Sequence, residues 1–183
     1  MIMNRTITKA NPQQVDDIMN VIAAAKQIMR QSGNIHQWAD SYPSTDVILH
    51  DIEVGGGHVV EDDGTIVAYF AFLPSPEPTY ANIYEGNWIE DSLPYHVVHR
   101  IASYPDAHGI FKSIMDFCFA HDSNIRIDTH RDNKIMQHVI LKQGFNPLLK
   151  KPRKKSPSSK TNICVLALSS RTTASVPSRR RLS

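Results

Sequence analysis

The sequence predicts an α/β domain, a mixed sheet with helices on its faces. Three observations predict it. Residues 96–140 alternate strand and helix patterns, and a strand–helix–strand unit makes two parallel neighbours with a right-handed crossover. Upstream, two apolar runs meet at Asp62-Asp63-Gly64, a hairpin signal that makes antiparallel neighbours. The chain has 183 residues, 41% of them hydrophobic, which suits one packed core.

Taken in order, Ile2 to Ile7 form a first strand. Asn11-Pro12 is an N-cap followed by a proline in the first helical turn. Val15, Ile18, Met19, Ile22 and Met29 follow at helical spacing, and Gly33 closes the helix. After the polar, aromatic stretch NIHQWADSYPS, a short helix covers Thr45 to Val54 and stops at Gly55-Gly56-Gly57. His58 to Glu61 and Thr65 to Phe72 are the hairpin strands, the second apolar on both faces as in a central strand. A loop with Tyr80, Tyr84 and Trp88 leads to a strand at His96 to Ser103, a helix at Gly109 to His121 and a strand at Asn124 to His130. Asp132 caps a last helix with Ile135, Met136, Val139 and Ile140 on one face, and Gly144 lies just past its end.

The net charge of +2 hides an asymmetry. Residues 1–149 contain 10 Lys and Arg and all 18 Asp and Glu, whereas residues 150–183 contain the other 10 cations and no acid. The expected division is a folded domain at 1–149 and a basic, mostly disordered tail at 150–183, with a possible strand at 162–168. Two cysteines, Cys118 and Cys164, cannot form a disulfide scaffold or a four-thiolate zinc site, so a reducing cytoplasm is the expected home. The longest apolar run, Ile66 to Leu73, is too short to span a bilayer, and no secretory signal opens the chain, so no membrane role is expected.

A strand, a loop with Gly109 and a helix make a junction that suits phosphate, because the first backbone amides of a helix lack partners and sit at the positive end of its dipole. Taken alone, one glycine before a helix is more often the mark of a plain tight turn. The wider context is more specific. Asn133 lies eleven residues before Gly144-Phe145, after strand, loop, helix and strand. This order of elements, over residues 2–145, resembles the GNAT superfamily of acetyl-CoA-dependent N-acetyltransferases. The stretches NIHQWADSYPS, HRIAS and IRIDTHRDN resemble one bacterial branch of it.

The resemblance implies an acyl-CoA N-acyltransferase fold, acetyl-CoA as co-substrate and a small-molecule or peptide amine as acceptor. It places the pyrophosphate on the loop Asp106, Ala107, His108, Gly109, Ile110 and Phe111. The family's loop is Arg/Gln-x-x-Gly-x-Gly/Ala, so Gly109 matches whereas Asp106 and Phe111 depart from it. The acid should repel phosphate and the phenyl crowd it, with Lys112 or His108 as offsetting cations. The resemblance also implies pantetheine pairing with the backbone of Ile101 and Ser103, where two parallel strands splay, and a cofactor-facing Asn133. The family's proton-donating tyrosine, seven residues after that Asn, is Ile140 here.

Amide formation needs a proton acceptor for the amine. His99 on the splayed strand is the first candidate, since imidazole titrates near neutral pH, and Glu90 with Asp91 is the second. The acceptor site would draw on Trp38, Tyr42, Tyr80, Tyr84 and Trp88, each of which could equally be core. A metal is not expected: strand geometry sets His96 and His99 on opposite faces, and Cys118-x-x-His121 lies on an apolar helix. The rival readings are a non-catalytic coenzyme-A-binding or decayed fold, and a nucleic-acid binder acting through the basic tail. The tail's composition suggests a foreign C-terminus, as a shifted reading frame would leave, because residues 146–161 do not read as a strand and relatives complete their sheet there. The expected C-terminal strands are therefore atypical or incomplete. A homodimer is kept as a candidate assembly.

Overall fold

The computed structural model describes residues 4–38, 41–76, 93–148 and 163–169. Seven strands form one sheet: β1 (Arg5–Lys9), β2 (Gly57–Asp62), β3 (Thr65–Pro74), β4 (His96–Ser103), β5 (Asn124–His130), β6 (Asn146–Leu148) and β7 (Ile163–Ser169). Their spatial order is β1-β2-β3-β4-β5-β7-β6. Four helices accompany them: α1 (Val15–Gln31), α2 (Thr45–Glu53), α3 (Ile110–His121) and α4 (Lys134–Lys142). β4 and β5 are the parallel pair, and the other pairings among the described strands are antiparallel.

Local chemistry explains most of the element ends. The Asn11 side chain accepts from the Gln13 amide at 3.0 Å, and Pro12–Gln14 form a 3-10 turn that leads into α1. Asp63 and Gly64 carry φ of 49° and 81°, the left-handed pair that a tight hairpin needs. The last helix is capped by Asn133, not by Asp132 as expected: Asn133 Oδ1 accepts from the Met136 amide at 3.0 Å. The first strand also sits later than expected, at Arg5–Lys9.

The sheet is buried on both faces. On one, Val60, Ala68, Phe70, Phe72, Val98, Ile125 and Ile127 pack with Ile114 and Met115 of α3 and Ile140 of α4. On the other, Val59, Tyr69 and Ala102 pack with Ile18, Val21 and Ile22 of α1 and Ile48 of α2. Among the described residues, no helix is long and apolar enough to cross a membrane.

The C-terminal part corrects an expectation. Asn146–Leu148, where no strand was expected, pairs with β7, and β7 in turn pairs with β5 over seven residues, from Asn124↔Ser169 to His130↔Ile163. The sheet is thus continued past Phe145 by an antiparallel pair.

Candidate active site

The parallel ladder between β4 and β5 is short. It runs His96↔Ile125, Val97↔Arg126 and Val98↔Ile127, and stops. β4 continues to Ser103 paired to β3 alone, so the edge of Ile101 to Ser103 that faces β5 is not in that ladder. This is the splay that the sequence reading placed at Ile101 and Ser103.

An extra residue in β4 helps to part the strands. Ala71 faces His99, but Tyr69 faces Ala102, so β4 bulges between them. Arg100 occupies the bulge with φ 55°, a left-handed conformation that costs a non-glycine residue about 1 kcal/mol. Side chains change phase there: Val98 and Ile101, three apart, both face the α3 side, while Ala102 faces α1. Arg100 is held by its side chain. Its Nε donates to Asp51 Oδ2 at 2.7 Å, its Nη2 to Asp51 Oδ1 at 2.5 Å and its Nη1 to the Tyr42 hydroxyl at 3.2 Å. The Tyr69 hydroxyl donates to Asp51 Oδ2 at 2.8 Å. Burial opposes the charge on Arg100, but the hydrogen bonds and charge of Asp51 outweigh it, so its pKa is raised. Burial, with the charge of Asp51, pushes the Tyr69 phenol up as well.

A cavity opens at the splay, lined by His99, Arg100, Ile101, Asp128, Asn133, Trp38 and Tyr42 among others. The structure therefore brings together His99, Ile101, Asn133, Trp38 and Tyr42 from the sequence-derived candidates. A second cavity, between α2 and β4, also reaches His99 and Arg100. The Asn133 amide nitrogen donates to Gln37 Oε1 at 2.8 Å, which ties the loop after α1 to the start of α4. Tyr80, Tyr84, Trp88, Glu90 and Asp91 lie outside the described residues.

The glycine junction has the form a phosphate needs. Gly109 is the N-cap of α3 in the left-handed conformation, φ 72°, and no side chain caps the helix. His108, Gly109 and Lys112 are exposed, and Ile110 is buried in the core below. Phe111, expected to crowd the loop, packs against that core. Lys112 is engaged elsewhere, with Asp116 at 2.6 Å. The cation that reaches the loop is one the sequence reading missed. Arg5 Nη1 donates to the His108 carbonyl at 2.8 Å, while Arg5 Nη2 pairs with Asp62 at 2.6 Å. A contact across 103 residues leaves no local signal in the sequence.

Two further candidates resolve plainly. Ile140 is fully buried in the core, so its position supplies no proton donor. His96 faces the α3 side, stacked on Phe72 with its Nδ1 2.6 Å from Asp122, and His99 faces the other way. Burial pushes the Cys118 thiol up to about 12, which disfavours the thiolate a metal would need. Among the described residues, no group of three or more His, Cys, Asp or Glu is placed to hold a metal.

No protein-family model and no curated protein matches the chain. Solved structures do. A GNAT-family acetyltransferase from Streptococcus agalactiae is 28% identical, with a TM-score of 0.78 over 92% of this chain and 96% of that one. By this likeness the chain has the fold of the GNAT-family acetyltransferases. A second GNAT-family acetyltransferase, from Listeria monocytogenes, is 18% identical with a TM-score of 0.64, covering 90% of this chain and 94% of its own. The structure of yncA from Salmonella typhimurium, described with its cofactor acetyl-CoA, is 14% identical with a TM-score of 0.57 over 96% of this chain and 99% of that one. These two share the GNAT fold with it.

Proposed function

We propose that this GNAT protein transfers acetyl from acetyl-CoA to the primary amine of a small molecule or peptide by direct attack. The ladder that ends at Val98↔Ile127 beside the uncapped α3 N-terminus carries this reading. The first amides of α3, which no side chain caps, suit a diphosphate, and the β4 edge at Ile101 and Ser103 suits the amides of pantetheine. Acetyl-CoA supplies an activated acetyl thioester when bound there. Gly109 lets an anion approach the backbone, and Arg5, paired with Asp62, braces the loop through the His108 carbonyl.

His99 is the proton acceptor for the attacking amine, with Glu90 the alternative from the loop outside the described residues. Trp38 and Tyr42 form the described part of the acceptor site, to which Tyr84 and Trp88 would add. The thiolate of coenzyme A is a good leaving group, with a thiol pKa of about 8.5. Solvent can protonate it, so the loss of a donor at Ile140 is tolerable.

The test is calorimetric titration with acetyl-CoA, followed by thiol release with a panel of spermidine, lysine and tyramine. Micromolar binding with amine-dependent thiol release is expected. Binding without amine-dependent release would mark a coenzyme-A-binding module, and no binding at millimolar acetyl-CoA would end the reading.

A further inference from the structure

The last rung of the β4–β5 ladder is Val98↔Ile127, so the next residue on each strand is His99 and Asp128. Their side chains meet where the strands part: His99 Nδ1 lies 3.3 Å from Asp128 Oδ1, with the two side chains 17% and 24% exposed. Both line the splay cavity, and His99 also lines the α2 cavity. The sequence showed Asp128 as the polar member of an alternating strand, with nothing to single it out.

We infer that Asp128 is a positioning residue for His99. It rests on the acetyltransferase reading above. A neutral imidazole carries one N–H, and a carboxylate beside Nδ1 draws that proton to Nδ1. Nε2 is then the basic atom. The same carboxylate stabilises the imidazolium as it forms, in a half-buried site where salt screens it little. A separation of 3.3 Å is long for a hydrogen bond, and such contacts commonly tighten when substrate fills the site. In the reaction, the amine nitrogen bonds to the acetyl carbon and the C–S bond breaks, its electron pair leaving on sulfur. The surplus amine proton passes to His99 Nε2 and then to solvent, which also protonates the thiolate.

Among the described residues, the other charged groups that line the two cavities with His99 have partners of their own or lie on α2. Arg100 is spent on Asp51 and Tyr42. Asp51 is 2% exposed and already accepts from Arg100 and Tyr69. Asp46 and His50, on α2, also line the α2 cavity, and His50 pairs with Glu53.

The test uses the full-length protein with nitrogen-labelled histidine. Ring nitrogen shifts should show His99 as the Nδ1–H tautomer. Asp128→Asn should mix the tautomers and lower the proton affinity of the ring about threefold to tenfold, and Asp128→Glu should restore both. In thiol release with the fastest amine of the panel, Asp128→Asn should lower kcat about tenfold, leave the KM for acetyl-CoA unchanged and move the acidic limb of the pH profile to lower pH. An unchanged tautomer and proton affinity in Asp128→Asn would overturn the inference, as would a loss of kcat with no movement of the acidic limb and no rescue by Glu. If the tautomer responds as expected but no amine releases thiol, the pairing stands and the acetyltransferase reading falls.

Discussion

The two flanks of β5 make a controlled comparison, since one strand serves both. Towards β7 it is paired along its whole length, seven residues from Asn124↔Ser169 to His130↔Ile163. Towards β4 it is paired over three residues and then left. The difference lies in the neighbours. β7 is a plain apolar run, ICVLALS, with no irregularity in its register. β4 carries one residue too many at Arg100, and Asp51 on α2 anchors it. An open ladder forgoes hydrogen bonds worth about 1 kcal/mol each, and buried backbone groups are seldom left so without another partner. The closed flank builds the sheet. The open flank leaves the edge of Ile101 to Ser103 outside the β4–β5 ladder.

Removing the closed flank should have the largest effect. A chain ending at Leu149 lacks β7 and leaves both flanks of β5 open. A loss of about 4 kcal/mol is expected, lowering the thermal midpoint by about 10 °C or more. Circular dichroism melts of the two chains would measure it. An equal midpoint would show that the closed flank contributes nothing and would favour a foreign tail.

Arg100→Ala tests what holds the other flank open. It strands the buried Asp51 carboxylate and should cost about 3 kcal/mol, read from the urea midpoint. Asp51→Ala together with Arg100→Ala should cost less than the sum of the two single changes, because the pair acts as one unit.

Gly109→Ala probes the mouth of the open flank and should have the smallest effect. A Cβ there would meet Arg5 Nη1 at 3.6 Å, an ordinary contact, so the penalty is that of the left-handed backbone, about 1 kcal/mol. Acetyl-CoA affinity should fall less than tenfold by calorimetry. A loss of binding without any loss of stability would assign Gly109 wholly to the ligand.

The closed and open flanks were not equally legible in the sequence. Elements set by local chemistry were plain: the Asp63-Gly64 turn, the Asn11-Pro12 cap and the glycine before α3 all appear where their residues require them. Asp132 and Asn133 are adjacent capping types, and side-chain geometry chose the second. The three residues of β6 were invisible because Asn146-Pro147-Leu148 has no strand pattern, and its pairing comes from β7. The site itself depends on long-range contacts. Arg5 to His108, Arg100 to Asp51 and His99 to Asp128 span 103, 49 and 29 residues, and periodicity carries no record of such distances. Recognising Asn133 and Gly144-Phe145 located the splay, but nothing short of coordinates could show that Arg100 bends the strand or that Asp128 meets His99.

The irregular residue in β4 makes the site depend on counting. Upstream of it, even-numbered positions such as Val98 look towards α3; downstream, odd-numbered Ile101 does, and even-numbered Ala102 looks towards α1. Loss of a single codon there would leave a strand with one parity throughout. Ile101 and Ala102 would keep their sides of the sheet, and what would go is the bulge itself together with the Arg100 anchor on Asp51. An insertion would instead have to widen the bulge or turn Ile101 and Ala102 to opposite faces, so this stretch should tolerate changes of side chain far better than changes of length.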